Sequence, residues 1–433
     1  MTTPQEAMAT SPSSLGFSWQ AYLADELNQW AGADLERHPA VYETAQVPQA
    51  RTDQARGVLF SSSNYLGLST HPALIAAACE AASRFGCGSG GSRLTTGTTV
   101  LHRQVEQQLA QFFGYPEAVL FATGYQANVS LLSSLATKGT TVISDAQNHA
   151  SLIDGCRLSR ATTVVIPHSD MAALDRALSD APDAAIVVSE GVNSMSGELC
   201  PLAEIAQITH RHGALLVIDD AHGVGTIGEQ GRGIASMVPA HMRPDVLIGT
   251  ASKALGVEGA FVCCSQLVAR FVRNRARGYV FSTAASPMTV AAIGAAIEVL
   301  ESEPEHLASL RANITRLGAA ATVSGLPVAP SKSPIFCVRI GQTTRALQIA
   351  AGLAGAGLIV SPIRYPTVPR DAAMIRLCLM ATHSFDQIDE LVLQLRRAMA
   401  QGRATQGDTR LKTNLADADP VPTRKKDADV HTA

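Results

Sequence analysis

Between residues 118 and 264, seven short apolar runs alternate with longer segments of helical texture, and that alternation leaves few architectures open. The runs occupy 118–122, 141–144, 163–166, 184–189, 215–219, 246–249 and 260–264. They are rich in Val and Ile and do not alternate strictly with polar residues, which suits strands buried on both faces. Strands separated by helices require crossovers and so imply a mostly parallel sheet of the α/β class. Beyond about residue 301 the texture changes to helix, strand (335–340), helix (346–355), strand (374–380) and helix (385–400), the pattern of a smaller α+β domain. The expected division is an N-terminal arm and helix over 1–58, a large domain over 59–300, a small domain over 301–400 and a disordered tail over 401–433. Within the arm, Trp19, Leu23, Leu27 and Trp30 recur at helical spacing, so a short amphipathic helix is expected there.

Composition excludes several functions. With 34 basic against 37 acidic side chains and a formal charge of −3, the chain has no nucleic-acid footprint. No apolar stretch approaches the ~20 residues that span a bilayer. The N-terminus lacks a basic region followed by an apolar run, so no signal peptide and a cytoplasmic location are expected. Eight cysteines are scattered without a C-x-x-C pair. They are expected to be reduced thiols serving as small apolar fillers.

Polar residues cluster at the carboxyl ends of the apolar runs, where open α/β sheets bind their ligands. LLVIDDAH (215–222) places two acids and a histidine directly after a buried strand. A buried carboxylate needs a positive partner, and a protonated pyridine nitrogen is one, although helix capping would also account for it. GTASKALG (249–256) sets Lys253 among small residues that let a flat ring approach the backbone. A desolvated lysine there can form a Schiff base with an aldehyde. In ATGYQAN (122–128) a strand gives way to a helix at Thr123-Gly124-Tyr125, and a helix N-terminus suits a phosphate. His149, in Asn148-His149-Ala150-Ser151, stands at another strand–helix junction and could stack on an aromatic cofactor.

Together, Thr123-Gly124-Tyr125, His149, Asp219, His222 and Lys253 look like the residue set of fold-type-I pyridoxal-phosphate transferases. SNYLGL (63–68), GSGGSRLTTGTTVLHRQVE (88–106), EGVNSMSGE (190–198), DDAHGVGTIGEQGRG (219–233), FSTAASP (281–287) and IRYPTVPR (363–370) narrow the match. Over roughly residues 17–400 the chain resembles the α-oxoamine synthase family. That resemblance implies a pyridoxal 5'-phosphate enzyme that joins an amino acid to an acyl-CoA, or an acyl-carrier-protein thioester, with loss of carbon dioxide. By it, Lys253 holds the cofactor and shuttles the Cα proton, and Asp219 pairs with the pyridine nitrogen. His149 stacks on the ring, and Ser194, His222 and Thr250 contact its oxygen or phosphate. Thr123, Gly124 and Tyr125 hold the phosphate, and Ser282 and Thr283 reach it from a partner subunit, implying a homodimer with shared sites. Arg376 clamps the amino-acid carboxylate, while Arg364, Thr367 and Ser63 lie near the substrates.

Arg364-Tyr365-Pro366-Thr367 resembles the R-P-P-T of the biotin-pathway branch, the 8-amino-7-oxononanoate synthases, which implies L-alanine and a pimeloyl thioester. Departures from that branch are Ser63 for a usual Asn, Asn193 for an aromatic residue, S-M-S-G-E for S-M-D-G-D, Glu258 for a small residue, and Leu35 near an expected arginine, with Arg37 close by. The alternatives are serine palmitoyltransferase, 2-amino-3-ketobutyrate ligase or 5-aminolevulinate synthase chemistry, or a non-catalytic partner subunit. His102 and Glu106, four apart on a helix, read as a surface pair. Arg270, Arg273, Arg275 and Arg277 could meet CoA phosphates, but read first as a solvated helix face. The remaining histidines show no metal-binding spacing, and the glycine-rich 86–97 lacks the lysine of a phosphate-binding loop.

Overall fold

A computed structural model describes residues 18–181 and 184–410. Seven strands form the central sheet, and each of the seven apolar runs supplies one: β3 (Glu117–Phe121), β4 (Thr141–Asp145), β5 (Thr162–Ile166), β6 (Ala185–Glu190), β7 (Leu215–Asp219), β8 (Val246–Thr250) and β9 (Ala260–Cys264). Their order is β3-β9-β8-β7-β6-β4-β5, all parallel except β9, which runs antiparallel between β3 and β8. Every residue of β4, β8 and β9 is buried, as strands covered by helices on both faces must be. Apolar clusters lie on both sides of the sheet.

Because six strands run the same way, their carboxyl ends share one edge. Phe121, Asp145, Glu190, Asp219 and Thr250 close their strands there. Helices begin just past two of these ends, Gly124–Leu135 after β3 and Ala150–Ser159 after β4. The sheet thus delivers the motif residues to one place.

The C-terminal region adds an antiparallel sheet, β10 (Ile335–Gly341), β13 (Ala373–Cys378) and β12 (Ser361–Ile363), with β13 central. A second small sheet was not foreseen. In it the hairpin β1 (Gln49–Arg51) and β2 (Arg56–Leu59) pairs in parallel with β11 (Leu358–Ile359), so the N-terminal arm is built onto the C-terminal region. The last helix, Phe385–Arg410, continues past residue 400, and residues 411–433 of the expected tail lie outside the described residues. The N-terminal helix forms as Trp19–Gly32, capped by Ser18, but none of its residues is buried. No helix among the described residues is long and apolar enough to cross a membrane.

Two surface readings need correction. His102 and Glu106 are buried, because they share a helix face with Val105, Leu109, Phe112 and Phe113, which packs on the sheet. Glu106 accepts from Arg93 Nη2 at 2.9 Å and from Leu120 N at 3.0 Å, and His102 Nδ1 caps its helix through Thr99. Burial holds the His102 imidazole near 4, hence neutral. Arg273 is not a solvated cation either. It donates to Glu117 at 2.8 Å and lies 3.7 Å from Glu106, while Arg270, Arg275 and Arg277 stay exposed. Cys79 and Cys87 are exposed rather than core fillers, whereas Cys156, Cys263, Cys264 and Cys378 are buried.

Candidate active site

Asp219 ends β7 and is buried at the sheet edge. Its Oδ2 accepts from Asn128 Nδ2 at 2.7 Å and its Oδ1 from Ala221 N at 3.0 Å. Two donors on a carboxylate leave lone pairs for a further N–H partner. Asn128 also donates to Ser151 Oγ at 2.8 Å, and Ser151 lies 2.7 Å from His149 Nδ1. The Ser151 backbone N–H donates to the same Nδ1, so that nitrogen is bare and His149 carries its proton on Nε2. Burial pulls the His149 pKa down, keeping the ring neutral. One network therefore fixes both the acid expected at a pyridine nitrogen and the histidine expected to stack on the ring.

Lys253 follows β8 and is half-buried, and its amine makes no hydrogen bond or ion pair with any described residue. Burial lowers its pKa, against the pull of the Asp219 and Glu190 charges, and so favours the neutral, nucleophilic amine. Thr250 donates to Gly259 O at 2.8 Å and meets Ser252 Oγ at 2.8 Å, shaping the turn that presents Lys253. A Cβ built on Gly124 would come within 3.7 Å of Thr250, so the end of β8 adjoins the turn after β3. There Thr123 Oγ1 accepts from Gln126 N at 3.2 Å, and the N–H groups of Gly124 and Tyr125 open the helix with no carbonyl partner inside it. A cavity of about 720 Å³ lined by Thr123, Tyr125, Gln126, Arg160 and Arg277 opens beside this turn. The Tyr125 hydroxyl is turned away onto Asp154, so only its backbone is free for a phosphate.

The C-terminal region contributes Arg376 from β13. It is buried, with Nε donating to Ser194 O at 2.8 Å and Nη1 to Cys378 Sγ at 3.0 Å. Ser194 itself is held by Glu190, whose Oε2 accepts from Ser194 N at 3.2 Å. Asn193 accepts from Met195 N and Ser196 N at 3.0 and 2.8 Å and so shapes this turn. His222 is buried and bonded to the Tyr65 hydroxyl at 2.7 Å. Burial, reinforced by Lys253 and Arg376, holds the His222 pKa well below the usual histidine range.

The remaining expected residues lie farther out. Arg364 donates Nε to Asp34 O at 3.0 Å and Nη2 to Glu36 O at 2.9 Å, pinning the N-terminal segment. Thr367 accepts from Arg37 Nη2 at 3.1 Å. Ser63 sits in the buried loop before Tyr65. Thr283 forms an isolated antiparallel bridge with Ser92 of the glycine-rich segment, with Ser282 beside it. Ser282 is exposed.

Three residues joined the site unannounced: Asn128, Glu190 and Tyr65. Glu190 had a legible signal, since it closes β6 as Asp219 closes β7, and the two pair in register. Burial, and then the Asp219 charge, push its carboxyl up to about 8. Away from the site, His71, Glu303 and His306 converge with ligand atoms within 4.8 Å, a grouping no sequence spacing indicated. His71 Nδ1 takes the Ala73 N–H, so its proton is on Nε2, 3.3 Å from Glu303 Oε2, with His306 Nε2 3.2 Å from the same oxygen. Two imidazoles on one carboxylate account for the cluster.

Comparison with known proteins identifies a family. The family described as aminotransferase class I and II matches residues 55–395. The biotin biosynthesis bifunctional protein BioWF of Cutibacterium acnes is 49% identical over 395 residues, covering 90% of this chain. The chain spans only 60% of that protein's length. The 8-amino-7-oxononanoate synthase of Lysinibacillus sphaericus is 38% identical over 365 residues, 84% of this chain and 94% of that protein. Among solved structures, Sphingomonas wittichii serine palmitoyltransferase superposes with a TM-score of 0.83 at 33% identity, covering 91% of this chain and all of that one (100%). The 8-amino-7-oxononanoate synthase of Francisella tularensis gives 0.70 at 28% identity, over 80% of this chain and 99% of that one. With its lysine, aspartate and histidine gathered at one sheet edge, the chain belongs to the aminotransferase class I and II family, in its α-oxoamine synthase group.

Proposed function

We propose that the chain condenses L-alanine with a pimeloyl thioester, giving 8-amino-7-oxononanoate, carbon dioxide and the free thiol. A C–C bond forms between the alanine Cα and the acyl carbon, while the acyl C–S bond and the bond to the alanine carboxylate break. The observation that carries the reading is the unpaired amine of Lys253 within the field of Asp219 and beside His149, His222 and Arg376.

The residues present fit pyridoxal 5'-phosphate. Asp219 keeps lone pairs for a ring N–H, Gly124 and Tyr125 offer unpaired N–H groups to a phosphate, and Lys253 has a free amine for an aldehyde. When bound, the cofactor supplies an electron-poor ring that takes up the electron pair left on Cα. Lys253 would hold the aldehyde, and its free amine would carry the Cα proton away and return one. Asp219 keeps the ring nitrogen protonated, and the Asn128 bond orients that carboxylate. His149 limits tilt of the ring, with Ser151 setting its plane. Arg376, fixed through Nε and Nη1, presents its remaining N–H groups to the substrate carboxylate as a planar clamp. Ser282 and Thr283 serve the phosphate of a second copy in a homodimer.

The choice of alanine and pimeloyl rests on Arg364 and Thr367 at the rim and on the relatives named above. Free-thiol release from pimeloyl-, acetyl-, succinyl- and palmitoyl-CoA, each offered with alanine, glycine or serine, tests it. Release confined to alanine with pimeloyl-CoA is expected. Release with serine and palmitoyl-CoA would move the chain to the chemistry of its serine palmitoyltransferase neighbours.

A further inference from the structure

The Tyr65 hydroxyl is a buried group beside the site that the mechanism above leaves without a role. Tyr65 is fully buried, and its oxygen lies 2.7 Å from His222 Nδ1. The direction of this bond follows from its other neighbours. Arg376 and Ser63 favour the charged form of the same hydroxyl, against its burial. Guanidinium N–H groups only donate, so on its Arg376 side the Tyr65 oxygen can act only as an acceptor. The phenolic proton needs an acceptor, and His222 Nδ1 is the one at hydrogen-bond distance among the described residues. Cys378 Sγ is near, but a thiol accepts weakly and this one already receives Arg376 Nη1 at 3.0 Å. His222 Nδ1 is the better acceptor. Burial pushes the phenol well above its ordinary range and keeps it protonated, and burial keeps His222 neutral. Both protonation states agree with donation from Tyr65 to the histidine.

We propose that Tyr65 is a positioning residue: it holds His222 in the tautomer with the proton on Nε2, ready to donate to the cofactor's ring oxygen, and ties that ring to the carboxylate-binding Arg376. The contact between His222 and the cofactor rests on the functional reading above, whereas the tautomer itself does not. Tyr65 is thus the step through which occupancy of the carboxylate site reaches the histidine: Arg376 N–H to Tyr65 oxygen, Tyr65 O–H to His222 Nδ1.

Ring-15N-histidine spectra of the full chain, with and without pyridoxal phosphate, test this. His222→Gln assigns the resonance, and Tyr65→Phe is the variant that keeps the aromatic packing. In the wild type, His222 should show a bare, hydrogen-bonded Nδ1 and a protonated Nε2. In Tyr65→Phe the Nδ1 resonance should lose its hydrogen-bond shift, while His149, held by Ser151, stays unmoved. Loss of one such bond, about 1.4 kcal/mol, corresponds to a kcat about tenfold lower, and the KM for alanine should change less than about threefold. A wild-type proton on Nδ1, or His222 resonances identical in the two proteins, overturns the proposal. A fall in melting temperature with those resonances unmoved would mark Tyr65 as packing only, and also overturns it. If the wild type takes up no pyridoxal phosphate the functional reading fails, and the histidine spectra still decide the tautomer.

Discussion

The floor of the site and its rim are built on different principles. On the floor, Asp219 and Glu190 close adjacent strands in register, buried, and Asn128 and Ser151 tie the aspartate to His149. Around the rim, Arg364, Thr367 and Arg37 sit on exposed or half-exposed loops, held by single side-chain bonds to one another and to the carbonyls of Asp34 and Glu36. A network on strand ends resists displacement because every member has a packed partner. Loops bonded to loops can change with little cost to the core. Under the proposed function, reaction chemistry falls to the floor and the choice of acyl chain to the rim.

Substitutions break the comparison in graded steps. Lys253→Ala should lower turnover by about 10³- to 10⁴-fold, the range of a lost general base, in the free-thiol assay. Turnover near the wild-type level would remove the floor from the chemistry. Asp219→Asn comes next. The amide cannot hold a ring nitrogen protonated, so exchange of the alanine Cα proton with deuterated solvent should slow by about 10²-fold or more, while cofactor affinity falls less. Equal losses in exchange and affinity would make Asp219 a binding group.

Arg364→Ala acts on the rim alone. It frees the Asp34 and Glu36 carbonyls, so the KM for the acyl donor should rise about tenfold, the equivalent of one charge-assisted bond, with alanine Cα exchange unchanged. Slowed exchange would mean that rim and floor are not separable.

The smallest effect concerns stability. Burial and Asp219 raise the Glu190 carboxyl from 4.5 to about 8, so the folded cofactor-free protein binds a proton there that the unfolded chain has released. Glu190 thus contributes stability that is fully present below pH 4.5 and is lost as pH rises towards and through about 8. Glu190→Gln should flatten the fall in melting temperature across that window, and an unchanged slope would place the proton elsewhere.

How much of this was legible depends on what carried the signal. The seven apolar runs give all seven strands of the large sheet within a residue or so; burial on both faces leaves the inner strands little choice of residue, whereas the edge strand β5 is largely exposed and is marked by its Thr and Val alone. Motif residues at strand ends follow from the same logic, which is why Asp219, Lys253 and His149 could be grouped before any coordinates. The hairpin β1–β2 escaped because its strands are three and four residues long and pair with β11, some 300 residues away, across a separation that local pattern does not encode. His102 and Glu106 were misplaced because spacing of four identifies a shared helix face but not which way it points. The apolar residues at 105, 109, 112 and 113 on that face held the answer. Tyr65 lies within the SNYLGL motif, but its hydrogen bond to His222 links residues 157 apart and only the fold brings them together.

The claim on which the rest depends is that Lys253 carries the cofactor. Borohydride reduction of the protein incubated with pyridoxal phosphate, followed by digestion and mass spectrometry, tests it most directly. A phosphopyridoxyl mass on the peptide containing Lys253, and its loss in Lys253→Ala, is the predicted result. A stable adduct on another lysine, or no adduct in protein that turns over alanine and an acyl-CoA, would contradict it.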